Sequence, residues 1–102
     1  MSTAAAGVKY DRETVTRDLV GILENMTGDW QLDYEGGITD QTLLIADLGF
    51  ESIDVVQLIV ALEEHYQRRD LPFGLLLMSD GRYVTDLRVG AAIDFLVEYL
   101  NR

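Results

Sequence analysis

Ser52 stands in the run Asp47-Leu48-Gly49-Phe50-Glu51-Ser52-Ile53-Asp54, with acids close on both sides and an apolar helical run, Val55 to Tyr66, directly after it. A serine in such a place can attack a substrate or it can carry a group. Attack needs a general base within hydrogen-bond reach. The only histidine, His65, lies thirteen residues along the same expected helix. At ~1.5 Å per residue this sets it about 20 Å away. Ser52 also lacks a Gly-x-Ser-x-Gly elbow, so hydrolysis is a poor fit. Carrying fits better, because a helix start favours a bound anion and a phosphodiester on this hydroxyl would sit well there. The plainer alternative is that Ser52 only caps the helix.

Other chemistry finds little support. With no cysteine and one histidine, a zinc site lacks ligands, and disulfides are excluded. Asp29, Asp33 and Glu35 precede Gly36-Gly37, but their spacing fails the calcium-loop pattern, and no Gly-Lys-Ser/Thr follows to make a phosphate loop. Trp30 reads as a plug for a small core. A net charge of −10, from 18 acids against 8 bases, argues against nucleic acid, whose phosphates would be repelled. The same surface suits basic partner proteins. The start, Met1 to Gly7, lacks the basic and apolar regions of a signal peptide. No apolar stretch approaches the ~20 residues of a membrane span. The expectation is a cytoplasmic monomer without membrane attachment: a flexible tail over 1–10 and one domain over 11–102.

Helices must position these residues. Asp11 reads as an N-cap, Val15, Leu19, Ile22 and Met26 recur on one face, and Gly28 ends the first helix. Residues 27–51 form a long connection, too apolar at Trp30, Leu32, Ile38, Leu43, Leu44, Ile45 and Leu48 to be free. Packing it down, with one helical turn near Thr42–Ala46, fits a loop of this length in a compact domain. The second helix, capped by Ser52, runs to about Arg68. Val55, Leu58, Ile59, Leu62 and Tyr66 form its core face. Ile53, Val56 and Val60 form a second apolar stripe, which a single surface helix does not need; it is either buried under a third helix or a partner-binding surface. Pro72 suits the start of a short helix over about 72–77. Leu75–Met78 and Arg82–Thr85 around Ser79-Asp80-Gly81 allow a tiny hairpin instead. Asp86 then caps a last helix with Leu87, Ile93, Leu96, Val97 and Leu100 inward. The fold class is all-α: three main helices plus a short third element, with room for a hairpin near 75–85.

The stretch 47–54 resembles the Asp-x-Leu/Gly-x-Asp-Ser-Leu region of acyl carrier proteins, and Val55-Val56-Gln57-Leu58-Ile59-Val60-Ala61-Leu62-Glu63-Glu64 is similar to their second helix. Ile38–Leu43 resembles the loop entering that region, and Val89–Leu96 the last helix. The resemblance implies a non-enzymatic, discrete carrier holding 4′-phosphopantetheine on Ser52. A phosphopantetheinyl transferase would install the arm from coenzyme A with Mg²⁺, and the thiol would carry acyl groups to ligase, acyl-transferring or ketosynthase-type enzymes. Polyketide, specialised fatty-acid or related natural-product biosynthesis would be the setting. It further implies docking through Ile53, Val56 and Val60, with Asp47, Glu51, Asp54, Glu63 and Glu64 meeting basic partner residues. Leu58, Ile59 and Leu62 would line a space for the chain. Two features depart from the family pattern: Glu51 replaces the usual aspartate, and residues 69–85 are longer and more apolar. The competing expectation is an unmodified acidic helical adaptor for basic partner proteins.

Overall fold

Asp11 starts the first helix in the expected way. Its carboxylate accepts the Thr14 amide at 2.7 Å, a bond that also holds this carboxyl below the usual range. The computed structural model describes residues 10–28 and 37–102. Trp30, Leu32, Asp29, Asp33, Glu35, Gly36 and tail residues 1–9 lie outside them. Among the described residues, α1 spans Arg12–Thr27, α2 Ser52–Tyr66, α3 Phe73–Leu77 and α4 Val89–Leu100. Between α3 and α4, β1 (Met78–Ser79) and β2 (Arg82–Tyr83) pair antiparallel, Met78 opposite Tyr83. Among the described residues the fold is an all-α bundle with one small hairpin.

Each long helix buries a stripe. Val15, Leu19 and Leu23 of α1 meet Leu58, Leu62 and Tyr66 of α2 and Ile93, Leu96 and Leu100 of α4 in one core. Ile22 and Met26, expected inward, pack at its edge while Leu23 is fully buried. Residue Gln67, in the left-handed conformation (φ 55°), ends α2 at Tyr66, just short of the expected Arg68. Between 72 and 83 the two alternatives coexist. Phe73 anchors α3 in the core beside Phe95, ring centroids 5.2 Å apart, and the hairpin follows at once. Tyr10, assigned to the tail by sequence, is tied to the far end of the chain. Its amide donates to Asn101 Oδ1 at 2.8 Å, and Asn101 Nδ2 donates to its carbonyl at 3.0 Å.

The connection before α2 is tied to the start of α4 by an isolated antiparallel bridge, Leu43 opposite Arg88. Leu44 N–H donates to the Leu87 carbonyl, Val89 N–H to Thr42 and Gly90 N–H to Asp40, at 3.0, 2.8 and 2.8 Å. Leu44, Leu48 and Phe50 are buried. A helical turn covers 43–49, with the Asp47 amide donating to Leu43 and the Gly49 amide to Ile45, close to the expected Thr42–Ala46. Gly49 leaves that turn at φ +75°, which a residue with a Cβ adopts at a penalty. Gly90 serves closeness: a Cβ there would lie 2.9 Å from the Asp40 carbonyl oxygen.

Asp86 does not cap α4, which starts at Val89 with Arg88 in the cap position. The Asp86 carboxylate instead accepts from Ile45 N–H at 2.9 Å, Ala46 N–H at 2.9 Å and Leu87 N–H at 2.7 Å. The Ile45 and Ala46 amides of the loop need an acceptor, and this carboxylate supplies it.

Candidate functional site

Phe50 positions the start of α2. It is buried, and its amide donates to the Leu44 carbonyl at 2.9 Å. From this anchor the chain turns through Glu51, whose extended backbone (φ −105°, ψ 175°) makes it the N-cap residue. Ser52 is therefore the first residue inside the helix and does not cap it. The Asp54 Oδ2 accepts the Glu51 amide at 2.8 Å, the reciprocal contact of a capping box. The reason is positional: an acid three residues after Glu51 can reach back across the first turn, and a serine one residue after it cannot. Ser52 is exposed, and its hydroxyl has no intramolecular partner among the described residues. Phe50 and Val55, at the positions of a hydrophobic staple, were the sequence signal for this register.

Beside Ser52 opens a groove of about 460 Å³. Val55, Val56 and Ile59 of α2 form one side, Leu44 and Ile45 of the loop another. Leu77, Tyr83, Val84, Asp86 and Leu87 close it from the hairpin side. A mostly apolar groove of this size suits a small ligand with few polar contacts. Of the three side chains expected to line a space for a chain, only Ile59 lines this groove. Leu58 and Leu62 point into the core and are fully used there, because they share the stripe that meets α1. The hairpin walls replace them, and short range patterning gave no sign of it.

The second stripe of α2 is exposed as expected: Ile53 is 58%, Val56 53% and Val60 46% accessible. Around it, Glu51 and Glu64 are exposed and Glu63 partly so. Asp47 and Asp54, expected to meet partners, already hold backbone amides. Asp47 Oδ2 accepts Leu43 N–H at 2.8 Å, and Asp54 holds Glu51. Their charge still contributes to the field of this face. Ile45, Leu75, Met78 and Tyr83 are also exposed, and sequence reading did not place them with the stripe.

His65 lies on α2 near its far end, with Nε2 3.4 Å from Asp18 Oδ2 of α1. Asp18 also accepts the Tyr66 hydroxyl at 2.9 Å. Burial, then this hydrogen bond, push the Tyr66 phenol well above its ordinary value. This group fastens α1 to α2 at the end opposite Ser52. Among the described residues no helix is long and apolar enough to cross a membrane, and no group of three or more His, Asp or Glu could hold a metal ion.

No family model matches this sequence, and no curated protein matches it either.

Proposed function

We propose that this protein is an acyl-carrier-type shuttle, modified on Ser52 with 4′-phosphopantetheine. The observation that carries the reading is the state of Ser52: exposed, at the first position of α2, with a cap made from Glu51 and Asp54 and no partner for its hydroxyl among the described residues. A structural serine at a helix start normally spends its oxygen on an orphan amide. Here the cap occupies the Asp54 amide, and Val55 N–H donates to the Glu51 carbonyl, so the Ser52 and Ile53 amides and the helix dipole are what this end offers a phosphodiester on Oγ. Glu51 and Asp54 add negative charge on either side of this position. When bound, the arm supplies the thiol that this cysteine-free chain lacks.

The chain's own residues then orient and recognise. Phe50 and Gly49 fix the direction in which Ser52 leaves the loop. The groove beside it offers an apolar shelter for cargo. Ile53, Val56 and Val60 offer partners a dry contact, and the acids around them speed encounter with basic surfaces, as transient docking requires. The partners are a phosphopantetheinyl transferase and acyl-transferring, ligase or ketosynthase-type enzymes, in polyketide, specialised fatty-acid or related natural-product biosynthesis.

The test is intact mass after incubation with coenzyme A, Mg²⁺ and a broad-specificity transferase. The wild type gains one arm and Ser52→Ala gains none. No gain in the wild type, or an equal gain in the variant, sinks the reading. The exposed stripe also favours a second reading, an unmodified adaptor for basic partners, which predicts partner binding that survives Ser52→Ala without any arm.

A further inference from the structure

The groove beside Ser52 has a feature that shelter alone does not explain: a fixed negative charge in an apolar wall. Among its lining residues the aliphatic side chains of Leu44, Val55, Ile59, Leu77, Val84 and Leu87 predominate, and no Lys, Arg or His is present. Asp86 is the one ionisable acid there. Partial burial pushes its carboxyl up, but the amides of Ile45, Ala46 and Leu87 pull it further down, so it is an anion at neutral pH. It has no salt-bridge partner among the described residues. Neither arginine of this region lines the groove: Arg88 Nη1 is held on the Asp40 carbonyl at 2.9 Å, and Arg82 is exposed on the hairpin. Glu51 and Asp54 add negative charge at the Ser52 end.

We propose that this groove accepts neutral, apolar chains attached at Ser52 and rejects chains ending in a carboxylate, with Asp86 as the residue that sets the discrimination. An apolar chain gains by leaving water along the aliphatic walls. A carboxylate loses its hydration on entering. It also meets the fixed charge of Asp86, with no cation to offset either loss. Specificity of this kind comes from a repulsive element built against the wrong ligand. Asp86 is a specificity residue and takes no part in bond making. The hairpin makes this possible, since Leu77, Tyr83 and Val84 form the wall that leads to Asp86.

As a statement about cargo the inference rests on the carrier reading, but its test does not pass through the transferase. The chain has no cysteine, so Ser52→Cys in the full-length protein creates a unique thiol. Three alkyl methanethiosulfonates of equal length, ending in methyl, carboxylate and ammonium, are coupled to it as disulfides. Methyl-resolved NMR at pH 7 reads occupancy of the groove through Ile59, Val84 and Leu87, and thermal melting reads stabilisation. The methyl-ended chain shifts all three signals and raises Tm by several degrees. The carboxylate chain is in the groove about tenfold less than the ammonium chain. Desolvation alone would exclude both charged chains alike, so equal populations for the two overturn the role of Asp86. Failure of the methyl-ended chain to shift these signals overturns the groove as a chain site. Asp86→Asn, where circular dichroism shows it folded, narrows the gap between the two charged chains, and an unchanged gap in a folded variant overturns the assignment. If that variant does not fold, the comparison on the native Asp86 decides. Failure of arm transfer in the mass experiment leaves this result standing, so the two readings fail separately.

Discussion

Helices α2 and α4 are both rich in aliphatic residues, and the fold uses them in opposite ways. Val89, Ala92, Ile93, Phe95, Leu96 and Leu100 of α4 are buried, leaving mainly Asp94 and Glu98 to water. In α2 only Leu58, Leu62 and Tyr66 are buried, while Ile53, Val56 and Val60 stay about half exposed. The apolar surface of α4 is spent on stability. That of α2 is divided between stability, the groove and an open face, and the open face contributes little to folding. A helix can therefore be apolar for two reasons, and the difference lies in what is packed against it.

The comparison is broken most easily from the α4 side. Leu96→Ala empties a fully buried site, and we expect a loss of about 2–5 kcal/mol, read from urea unfolding. A loss below ~1 kcal/mol would mean that α4 does not hold the core. Gly90→Ala pushes a methyl against the Asp40 carbonyl, with an expected loss of about 1–3 kcal/mol. Because that carbonyl belongs to the loop, hydrogen exchange over 40–48 should rise with it.

Asp86 links the two helices through the loop. Asp86→Asn should cost about 1–3 kcal/mol at pH 7, because three amides lose part of their acceptor. Its folded carboxyl is depressed relative to the unfolded chain, so the unfolded state binds the proton more readily. The stabilisation is thus complete above about pH 4 and lost as pH falls through the folded value. Stability measured against pH should show a shallower acid limb in the variant than in the wild type. Identical limbs would mean that the carboxylate contributes no pH-linked stability.

The smallest expected stability effect is on the open face of α2. Val60→Asp should change unfolding free energy by no more than ~0.5 kcal/mol. Under the carrier reading the same change should raise the transferase KM about fivefold or more, as loss of a central apolar contact does. Weak stability effects with intact recognition would remove the docking role from the stripe.

Much of this was readable from local pattern. Asp11 as a cap, Gly28 as a stop and the two stripes of α2 follow from spacing along a helix, which involves only residues close in sequence. The mistakes share a cause as well. Ser52 looks like a cap because serine favours that position, but the choice between Ser52 and Glu51 depends on where Phe50 is buried. Asp86 was read as a cap for the same kind of reason, yet its partners, Ile45 and Ala46, are about forty residues away in sequence. Leu58 and Leu62 fit a groove-lining role by spacing alone, yet they are buried in the core, and the hairpin side supplies the groove wall instead.

The sequence by itself determined the helices, the acidic surface, the absence of thiols and the serine at a loop-to-helix junction, because these depend on composition and short-range periodicity. Tertiary structure alone decided that Glu51 and not Ser52 caps α2, that the hairpin walls a groove beside Ser52 and that Asp86 is fixed in that wall. Those properties come from amides and side chains brought together over long loops, where burial and competition for hydrogen-bond partners settle which contacts form.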